Sequence, residues 1–295
     1  MGLQFSIVIP NFNSGEVLER AIRSLIGQEY PLLQIIMVDA GSNDVSTGII
    51  DRYRKYFDVL IVGPDRGQAD GLNKGFSLAT GDVFGWLCAD DELLPGTLAH
   101  VAEIFETDPH ADMVTGGCER IFEDGTSVIT RANPRVTEEI GIQNSIEQPS
   151  TFWKAALHKQ TGELDLSYYL GFDWDFWARM IRNGAAVVTT DRVLSRYYFS
   201  DTNKCGTAGN LFAEEAFRVI RKHGPMAGGL AYVYRFLYFH FDLKGCFDRP
   251  PRSTRNRYLL YRYTRNILKF LIGPRLLNMY NWHFASCQER NIKWY

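Results

Sequence analysis

Cysteine is scarce in this sequence, and its placement disfavours both a disulfide framework and a structural zinc site. The 295 residues include five cysteines, an odd number, and no two of them have CxxC spacing. N-x-[ST] sequons are absent as well, and residues 5–10 have the pattern of a buried strand where a signal peptide would lie. These absences predict a cytoplasmic protein, in a compartment that keeps thiols reduced.

The glycine-rich loops of two common nucleotide-binding classes are missing. The first predicted strand is followed by PNFNSG, residues 10–15. A dinucleotide-dependent oxidoreductase would have G-x-G-x-x-G at this point, and a sugar-phosphate nucleotidyltransferase would have a glycine-rich loop that carries Arg or Lys. The sequence therefore disfavours both of these classes.

Acidic residues are rare in the C-terminal quarter of the chain. Residues 218–295 carry 15 Lys and Arg against 3 Asp and Glu, whereas residues 1–217 carry 17 against 31. The longest apolar run there, residues 227–243, is interrupted by Arg, His and Asp, which disfavours a membrane-spanning helix. Residues 257–277 alternate basic with large apolar residues, a pattern typical of a helix in a membrane interface, which would hold the protein on the inner face of the membrane.

Two alternatives remain for this basic region, residues 218–295. The helix at 257–277 could dock on the rest of the chain with its basic face in solvent, or it could contact a second copy in a homo-oligomer. A nucleic-acid-binding arm is disfavoured, because the basic residues stand among large apolar ones. We expect a boundary near residues 205–215, which gives a main domain at 1–210 and a helical region at 211–295.

Strands and helices alternate in the first 63 residues. Apolar, β-branched runs predict strands at 5–13, 34–39 and 59–63, and helical spacing of apolar residues predicts helices at 14–28 and 45–57. This alternation predicts right-handed crossovers and a parallel sheet. Ligands of such sheets bind at the carboxyl ends of the strands.

The middle of the chain returns to strands. Residues 111–131 alternate like a β-hairpin with Asp124-Gly125 as its turn, and residues 185–200 predict a further pair of strands. Between them, residues 171–184 predict a helix headed by GFDWDFW. The predicted fold class is therefore α/β.

Two adjacent carboxylates, Asp90 and Asp91, end an apolar stretch in GDVFGWLCADDELLPG, residues 81–96. Paired acids at the mouth of a buried strand repel each other and resist desolvation. A divalent cation, Mn²⁺ or Mg²⁺, removes that penalty and usually shares such carboxylates with a substrate phosphate. The alternative is that one Asp caps the following helix while the other is solvated.

Two further acids suggest a reaction. Asp39 ends the second strand and could accept hydrogen bonds from a nucleobase. Asp173 lies on a separate element and could act as general base for an incoming hydroxyl; its alternative role, shared with Asp175, is to interact with the helix dipole. A cation can neutralise a diphosphate leaving group, so this set indicates group transfer from a nucleotide-activated donor.

Five segments, in this order and spacing, resemble the family 2 glycosyltransferases of GT-A fold, over roughly residues 4–205. They are SIVIPNFNSGEVLERAIRSLIGQ, VDAGSND, PDRGQADGLNKGFSLATGDVFGWLCADDELLPG, QPSTFW and GFDWDFWARM. The resemblance implies a nucleotide-sugar-binding, Rossmann-like mixed sheet flanked by helices, with a C-terminal helical extension. It implies an inverting, metal-dependent enzyme that uses a nucleotide-sugar donor, with a UDP-sugar favoured, and a glycan or lipid-linked acceptor.

The same resemblance assigns roles to individual residues. Asp173 matches the general base, and Asp90 and Asp91 match the residues that bridge metal and diphosphate. The acceptor side has Trp153 as a candidate sugar-stacking platform, with core packing as its alternative, and Trp174 and Asp175 as supporting residues. The implied donor and nucleotide site is lined by Pro10, Asn11, Asn13, Asp39, Gly41, Gln68, Asp70, Lys74 and Asp90.

Three positions depart from the family pattern. Cys88 stands where many relatives carry an acid, and Phe172 stands where they often carry Glu before the base. A His that often follows the last strand is replaced, and Arg196 or Lys204 is left to supply charge there. Phe172 is expected to raise the pKa of Asp173 by desolvation. These departures keep open the alternative of a degenerate domain that binds a nucleotide sugar or partner proteins without turnover.

Overall fold

The computed structural model describes residues 2–199, 204, 210–224, 229, 232, 235, 236, 240 and 255–272. The chain divides into two compact units, one of residues 1–137 with 145–206 and the other of residues 138–144 with 207–295. The first unit contains the sheet and every predicted site residue. The predicted apolar segment 227–243 and the end of the predicted basic helix lie largely outside the described residues.

A nine-stranded mixed sheet forms the centre of the first unit, in the order β3-β2-β1-β4-β8-β6-β9-β5, with β7 paired to β6. Its parallel part is β1 to β4, and β8 is antiparallel to both β4 and β6. This arrangement confirms the predicted mixed α/β sheet flanked by helices. The strands are β1 Phe5–Asn11, β2 Leu33–Asp39, β3 Val59–Val62, β4 Val83–Trp86, β5 Glu92–Leu93, β6 Met113–Phe122, β7 Ser127–Thr130, β8 Thr151–Lys154 and β9 Val187–Phe199.

Helices follow the strands as the periodicity predicts. The helix predicted at 14–28 is shorter at both ends, and the one predicted at 45–57 finishes in a 3₁₀ turn at Arg54–Tyr56. A second 3₁₀ turn, Gln148–Ser150, leads into β8. The α-helices that precede β9 are α1 Gly15–Ile26, α2 Ser46–Tyr53, α3 Gln68–Phe76, α4 Thr97–Thr107, α5 Val136–Glu139, α6 Ala155–Thr161 and α7 Phe172–Arg182.

The strand register brings the carboxyl ends of β1 and β2 together. Asn11 pairs with Asp39, and Asp39 in turn pairs with Val62 of β3. Trp86, the last residue of β4, pairs with Val8 of β1. The acidic pair therefore follows a strand whose neighbour ends in Asn11, as expected for one sheet edge.

Helix α3 lies very close to the sheet because it has glycine at the contact. A Cβ atom on Gly75 would lie 2.5 Å from Cγ1 of Val8 and 3.2 Å from Cγ2 of Val38. No room remains there for a methyl group. This contact fixes the position of Gln68, Asp70 and Lys74, which α3 carries.

We expect Gly75→Ala to lower the free energy of unfolding by about 1–3 kcal/mol, because the added methyl overpacks the helix–sheet contact. The matched control is Gly48→Ala in α2, where no atom lies within 4 Å of the Cβ position. There alanine should raise the free energy of unfolding by up to about 1 kcal/mol through its helix propensity. Urea unfolding measures both values, and a neutral Gly75→Ala would contradict the close contact.

Two predictions on the later strands have opposite outcomes. The hairpin is confirmed, since β6 and β7 are antiparallel across Asp124-Gly125. The predicted strand pair at 185–200 is wrong, because β9 is one strand of 13 residues. The polar Asp191-Arg192 step suggests a turn, but the strand continues through it with a bulge. Thr189 pairs with Thr115 and Val193 pairs with Gly117, so three residues of β9 lie opposite Gly116.

The described part of the second unit is helical. Helix Asn210–His223 buries a face that includes Ala216, Val219 and Ile220. Helix Arg255–Ile272 instead leaves large apolar side chains exposed. Among the helices that the structure describes, none is both long and apolar enough to cross a membrane.

Candidate active site

A hydrogen-bonded turn closes the carboxyl end of β2. The carboxylate of Asp39 is 1% exposed and accepts bonds from Asn11 Nδ2 at 2.7 Å and from Ser42 Oγ at 2.6 Å. Its other oxygen accepts the backbone N–H groups of Ser42 and Gly41, at 2.9 and 3.2 Å. These four bonds fill the accepting capacity of an ionised carboxylate. Asp39 therefore shapes this turn, and a nucleobase N–H would have to displace one of the four donors.

The other predicted residues of this edge hold the β1 and β2 turns together. Asn13, at a positive φ of 49°, donates its backbone N–H to Ser42 Oγ, and its own Oδ1 accepts from Asn43 N. Gly41 also has a positive φ, 86°. Pro10 is half-buried opposite Val38. The predicted nucleotide-side residues thus form one continuous rim.

On α3, the carboxylate of Asp70 pairs with two basic side chains, one four residues before it and one four residues after it. Its carboxylate lies 2.8 Å from Arg66 Nη2 and 3.1 Å from Lys74 Nζ. The hydrogen bond from Arg66 is the main cause that lowers the pKa of Asp70 to about 2. Asp70 and Lys74 are therefore engaged with each other, while Gln68 at the start of α3 extends towards Cys88.

The lowered pKa of Asp70 predicts a pH-dependent stability difference. A group with a folded pKa below its ordinary 3.8 stabilises the fold above that pH, and this contribution is lost as the pH falls towards about 2. We expect Asp70→Asn to reduce the free energy of unfolding by about 1–2 kcal/mol at neutral pH, a value lowered by solvent screening at Arg66. The deficit should vanish near pH 2. The control is Asp51→Asn on the exposed face of α2; a pH-independent deficit for Asp70→Asn would contradict the ion-pair origin.

The acidic turn after β4 gathers three potential metal donors. One donor atom from each of Cys88, Asp90 and Asp91 lies within 4.8 Å of the other two. Asp91 is 1% exposed, and its Oδ1 makes no hydrogen bond within the part of the chain that the structure describes. Burial, followed by the charge of Asp90, raises the pKa of Asp91 well above its ordinary value, and burial also raises the pKa of Asp90. A cation would relieve both penalties.

The helix-cap alternative for this acidic pair is wrong. Helix α4 begins at Thr97, its N-cap is Gly96 at a φ of 73°, and no side chain caps it. The short strand β5 separates Asp91 from that helix. The pair is therefore placed by the β4 turn and by the backbone around it.

Arg20 of α1 holds the backbone of the acidic turn. Its Nη2 donates to the carbonyl oxygen of Asp90 at 2.9 Å, and its guanidinium lies 3.5 Å from the ring centre of Tyr198. Glu92, the residue after the pair, lies 3.6 Å from Arg20 Nε and accepts the hydroxyl of Tyr198 at 2.8 Å. Sequence reasoning missed Arg20, because it is one of several charged residues on an amphipathic helix.

Cys88 is the centre of a second network. Gln68 Nε2 donates to its Sγ, and Sγ donates to Gln148 Oε1, both at 3.2 Å. Lys204 Nζ donates to Gln68 Oε1 at 3.1 Å, and Gln148 Nε2 donates to the carbonyl oxygen of Trp86 at 2.8 Å. Sequence reasoning missed Gln148 as well; its only signal is its place in the QPSTFW segment.

Helix α7 begins with Phe172, whose ring lies beside Lys204 and Trp86. The ring of Phe172 lies 5.2 Å from Lys204 Nζ and 6.5 Å, between centroids, from Trp86. Asp173 is half-buried in the first turn, where its Oδ1 accepts the backbone N–H of Trp174 at 2.6 Å. The helix start therefore lies beside the end of β4, although the sequence separates them by more than eighty residues.

Three predicted acceptor-side residues lie in the interior. Trp153 is 0% exposed and donates its indole N–H to His158 Nδ1 at 3.3 Å, so its assignment as a sugar-stacking platform is wrong. Burial lowers the pKa of His158 to about 4, which leaves a neutral imidazole to accept this bond. Trp174 is buried too, and the buried carboxylate of Asp175 pairs with Arg179 at 2.9 Å. Their contribution is to hold α7 in place.

The model of the family described as Glycosyl transferase family 2 matches residues 6–162, more than half of the chain. The chain belongs to this family. Family 2 membership confirms the resemblance drawn from the five segments, and the matched range includes the acidic turn and the β1–β2 rim.

Two relatives that are described as glycosyltransferases agree with this assignment. A glycosyltransferase of Nostoc sp., described as uncharacterised, is 31% identical over 147 residues, which are 47% of this chain and 44% of that one. A PGL/p-HBAD biosynthesis glycosyltransferase of Mycobacterium tuberculosis is 28% identical over 223 residues, 72% of this chain and 82% of that one. The chain thus spans less than half of the Nostoc relative's length.

Solved structures support the GT-A architecture. TarS 1–349 of S. aureus, in complex with UDP-GlcNAc, aligns with a TM-score of 0.61 at 15% identity, over 99% of this chain and 93% of that one. The mannosyltransferase PcManGT of Pyrobaculum calidifontis, in complex with GDP-Man and Mn²⁺, aligns with a TM-score of 0.63 at 14% identity, over 99% and 89%. At these identities the likeness shows a shared fold.

Proposed function

We propose that the protein is an inverting, cation-dependent glycosyltransferase that moves a sugar from a nucleotide-diphosphate donor to a hydroxyl of a glycan or lipid-linked acceptor. One observation carries this proposal: one oxygen of the buried Asp91 carboxylate has no hydrogen-bond partner among the described residues, and this carboxylate contributes to the cluster of donor atoms from Asp90, Asp91 and Cys88. Such a group is unfavourable in a folded protein unless a ligand compensates it. The two solved structures of similar fold that hold nucleotide sugars, one of them with Mn²⁺, support the same choice of ligands.

The residues present fit a divalent cation. Asp90 and Asp91 offer hard carboxylate oxygens of the kind that Mn²⁺ and Mg²⁺ prefer. When bound, the cation supplies charge neutralisation for the diphosphate leaving group. Arg20 fixes the backbone carbonyl of Asp90 and thereby the direction of that carboxylate. Lys204 places a positive charge at Gln68, on the same side as the acidic turn.

Asp173 is the proposed general base. In a single displacement, the acceptor oxygen bonds to the anomeric carbon, the bond from that carbon to the diphosphate oxygen breaks, and the acceptor proton passes to the carboxylate of Asp173. One such displacement inverts the anomeric configuration. Asp173 is suited to this role by its half-buried position in the first turn of α7. The residue before it, Phe172, lies with its ring 5.2 Å from Lys204 Nζ.

Thermal unfolding tests donor and cation binding together. We expect UDP or a UDP-sugar with Mn²⁺ to raise the unfolding temperature, since a ligand at 100 times its Kd stabilises the native state by about 2.7 kcal/mol. ADP with Mn²⁺ serves as the control nucleotide, and EDTA should cancel the shift. Nucleotide release then separates the enzyme from a degenerate binding domain. A rise in unfolding temperature that persists in EDTA and also in the Asp91→Asn protein would contradict the proposed site.

For the C-terminal region we propose peripheral contact with an anionic membrane surface. The helix Arg255–Ile272 carries five Lys and Arg and no acid. Phe270 is 90% exposed and Leu271 is 68% exposed, and Ile267 and Tyr263 are exposed about one and about two turns earlier, respectively. A basic helix with an exposed apolar face can bury that face in the headgroup region.

Vesicle flotation tests this contact with the full chain. Phe270→Glu should weaken binding to vesicles that contain anionic lipid by at least about tenfold, because it loses buried apolar surface and adds a repelled charge. Val128→Glu, at an exposed apolar position of β7, is the matched control. Equal flotation of the wild type and Phe270→Glu would refute the proposed contact.

A further inference from the structure

Cys88 brings a sulfur atom to a site that otherwise consists of carboxylates. Its Sγ and the nearest carboxylate oxygens of Asp90 and Asp91 lie within 4.8 Å of one another. Asp91 supplies an independent observation, since its buried Oδ1 has no hydrogen-bond partner among the described residues. Three donors around one point, two hard and one soft, define a mixed oxygen–sulfur site.

The protein holds this sulfur atom in a fixed position. Gln68 donates to Sγ from α3, and Gln148 accepts from it on the opposite side. Both amides are anchored, Gln68 by Lys204 and Gln148 by the carbonyl oxygen of Trp86. A thiol that only filled space would need none of these polar contacts. A metal-bound sulfur would retain the bond from Gln68, whose N–H can donate to a thiolate as well as to a thiol.

We propose that Cys88 is a third ligand of the cation site and that its sulfur makes the site select thiophilic divalent cations, such as Co²⁺, Zn²⁺ and Cd²⁺, over Mg²⁺. The inference rests on the proposed cation site of a glycosyltransferase and deepens it. On binding, the S–H bond is replaced by a bond from sulfur to the metal, and the proton passes to solvent. No change of oxidation state is involved. Thiolate ligands favour soft and borderline metals, whereas Mg²⁺ takes oxygen ligands in near-octahedral geometry.

Cobalt(II) titration of the full-length protein tests the proposal without any turnover. We expect a near-ultraviolet charge-transfer band from thiolate to Co²⁺ that saturates with binding and persists in a large excess of Mg²⁺. Cys88→Ser should abolish the band and weaken Co²⁺ binding by at least about tenfold. Cys118→Ser is the matched control, because Cys118 is also a free, buried cysteine but lies in β6. It should retain the band.

A second variant keeps the test decisive if Cys88→Ser folds poorly. Cys88→Asp creates an all-oxygen site and should lose the band while its preference for Mg²⁺ over Co²⁺ rises by at least about tenfold. Far-ultraviolet circular dichroism checks that each variant is folded. A Co²⁺ thiolate band that survives in Cys88→Ser, or saturable Co²⁺ binding to the wild type without a band, would overturn the proposal.

Nucleotide release distinguishes failure of this inference from failure of the proposed function. Release from a UDP-sugar supported by Mg²⁺ as well as by Co²⁺, with no thiolate band, would overturn the sulfur ligand and leave the glycosyltransferase in place. A thiolate band that depends on Cys88 and Asp91, in a protein that releases no nucleotide, would support the sulfur ligand and overturn the transferase. The two outcomes come from separate measurements on the same protein.

Discussion

Asp91→Asn is expected to abolish cation-dependent donor binding and, in the same protein, to raise the unfolding temperature in the absence of ligand. The buried carboxylate of Asp91 stands next to Asp90, and its Oδ1 has no hydrogen-bond partner among the described residues, so burial makes the charged form of Asp91 unfavourable in the ligand-free fold. Asparagine removes that charge and keeps the shape. It also removes a cation ligand, and we expect nucleotide release to fall by at least about 100-fold.

This prediction is discriminating because Asp91→Asn should weaken donor binding and, at the same time, raise the unfolding temperature of the ligand-free protein. A residue that only supports the fold would lose stability and activity together. Thermal unfolding with and without Mn²⁺ and UDP should reverse the order of the two proteins, the wild type being the more stable only when ligand is present. Asp82→Asn, at the exposed start of β4, is the control and should change neither donor binding nor release. A ligand-free Asp91→Asn protein less stable than wild type would contradict the proposed role.

Asp173→Asn is the second substitution with a large expected effect. Removal of a general base typically reduces the rate by about 10²–10⁴-fold. Donor and cation binding should remain, because the acidic turn is untouched, and asparagine can still accept the N–H of Trp174. Transfer to acceptor, measured beside a thermal shift with Mn²⁺ and UDP, separates the two properties. Full transfer by Asp173→Asn would place the base elsewhere.

Asp175→Asn is the matched control for Asp173, two residues along the same helix. Its carboxylate is buried and pairs with Arg179, which also bonds the carbonyl oxygens of Thr161 and Glu163. Loss of the charge should lower the free energy of unfolding by about 1–3 kcal/mol through the weakened hydrogen bond. The change in transfer should be small relative to that of Asp173→Asn. Asp173→Asn should thus mainly reduce the rate of transfer, whereas Asp175→Asn should mainly reduce the free energy of unfolding.

The edge of the sheet could be predicted from the sequence because it depends on local patterns. Buried parallel strands with helical crossovers align their carboxyl ends, and the pairing of Asn11 with Asp39 follows from that rule. The acidic pair was recognisable for a similar reason, since two acids at the end of an apolar strand conflict with local burial. The family resemblance then predicted that the strand-end residues and the acidic pair belong to one site.

The inner face of the site could not be predicted, because it depends on strand pairs that are distant in sequence. Strand β8 lies between β4 and β6, which sets Trp153 opposite Phe84 and buries it. The adjacent aromatic residues Phe152 and Trp153 do not reveal in the sequence that their strand lies between β4 and β6. Gln148 reaches the carbonyl oxygen of Trp86 through the same strand placement. The long β9 was missed because Asp191-Arg192 lies in a bulge of β9, where four residues of β9 span the distance of two residues of β6, and the sequence does not distinguish such a bulge from a turn.

Strand β9 also has a consequence for which parts of the chain can change in length. It pairs with β5 through Arg196 and Glu92, and its Tyr198 lies against Arg20, which holds the carbonyl oxygen of Asp90. Insertion of one residue before Arg196 would turn each following side chain to the other face of the sheet and break this connection. The hairpin tip at Asp124-Gly125 is exposed to solvent. Natural insertions should therefore accumulate at that tip and be excluded from the second half of β9.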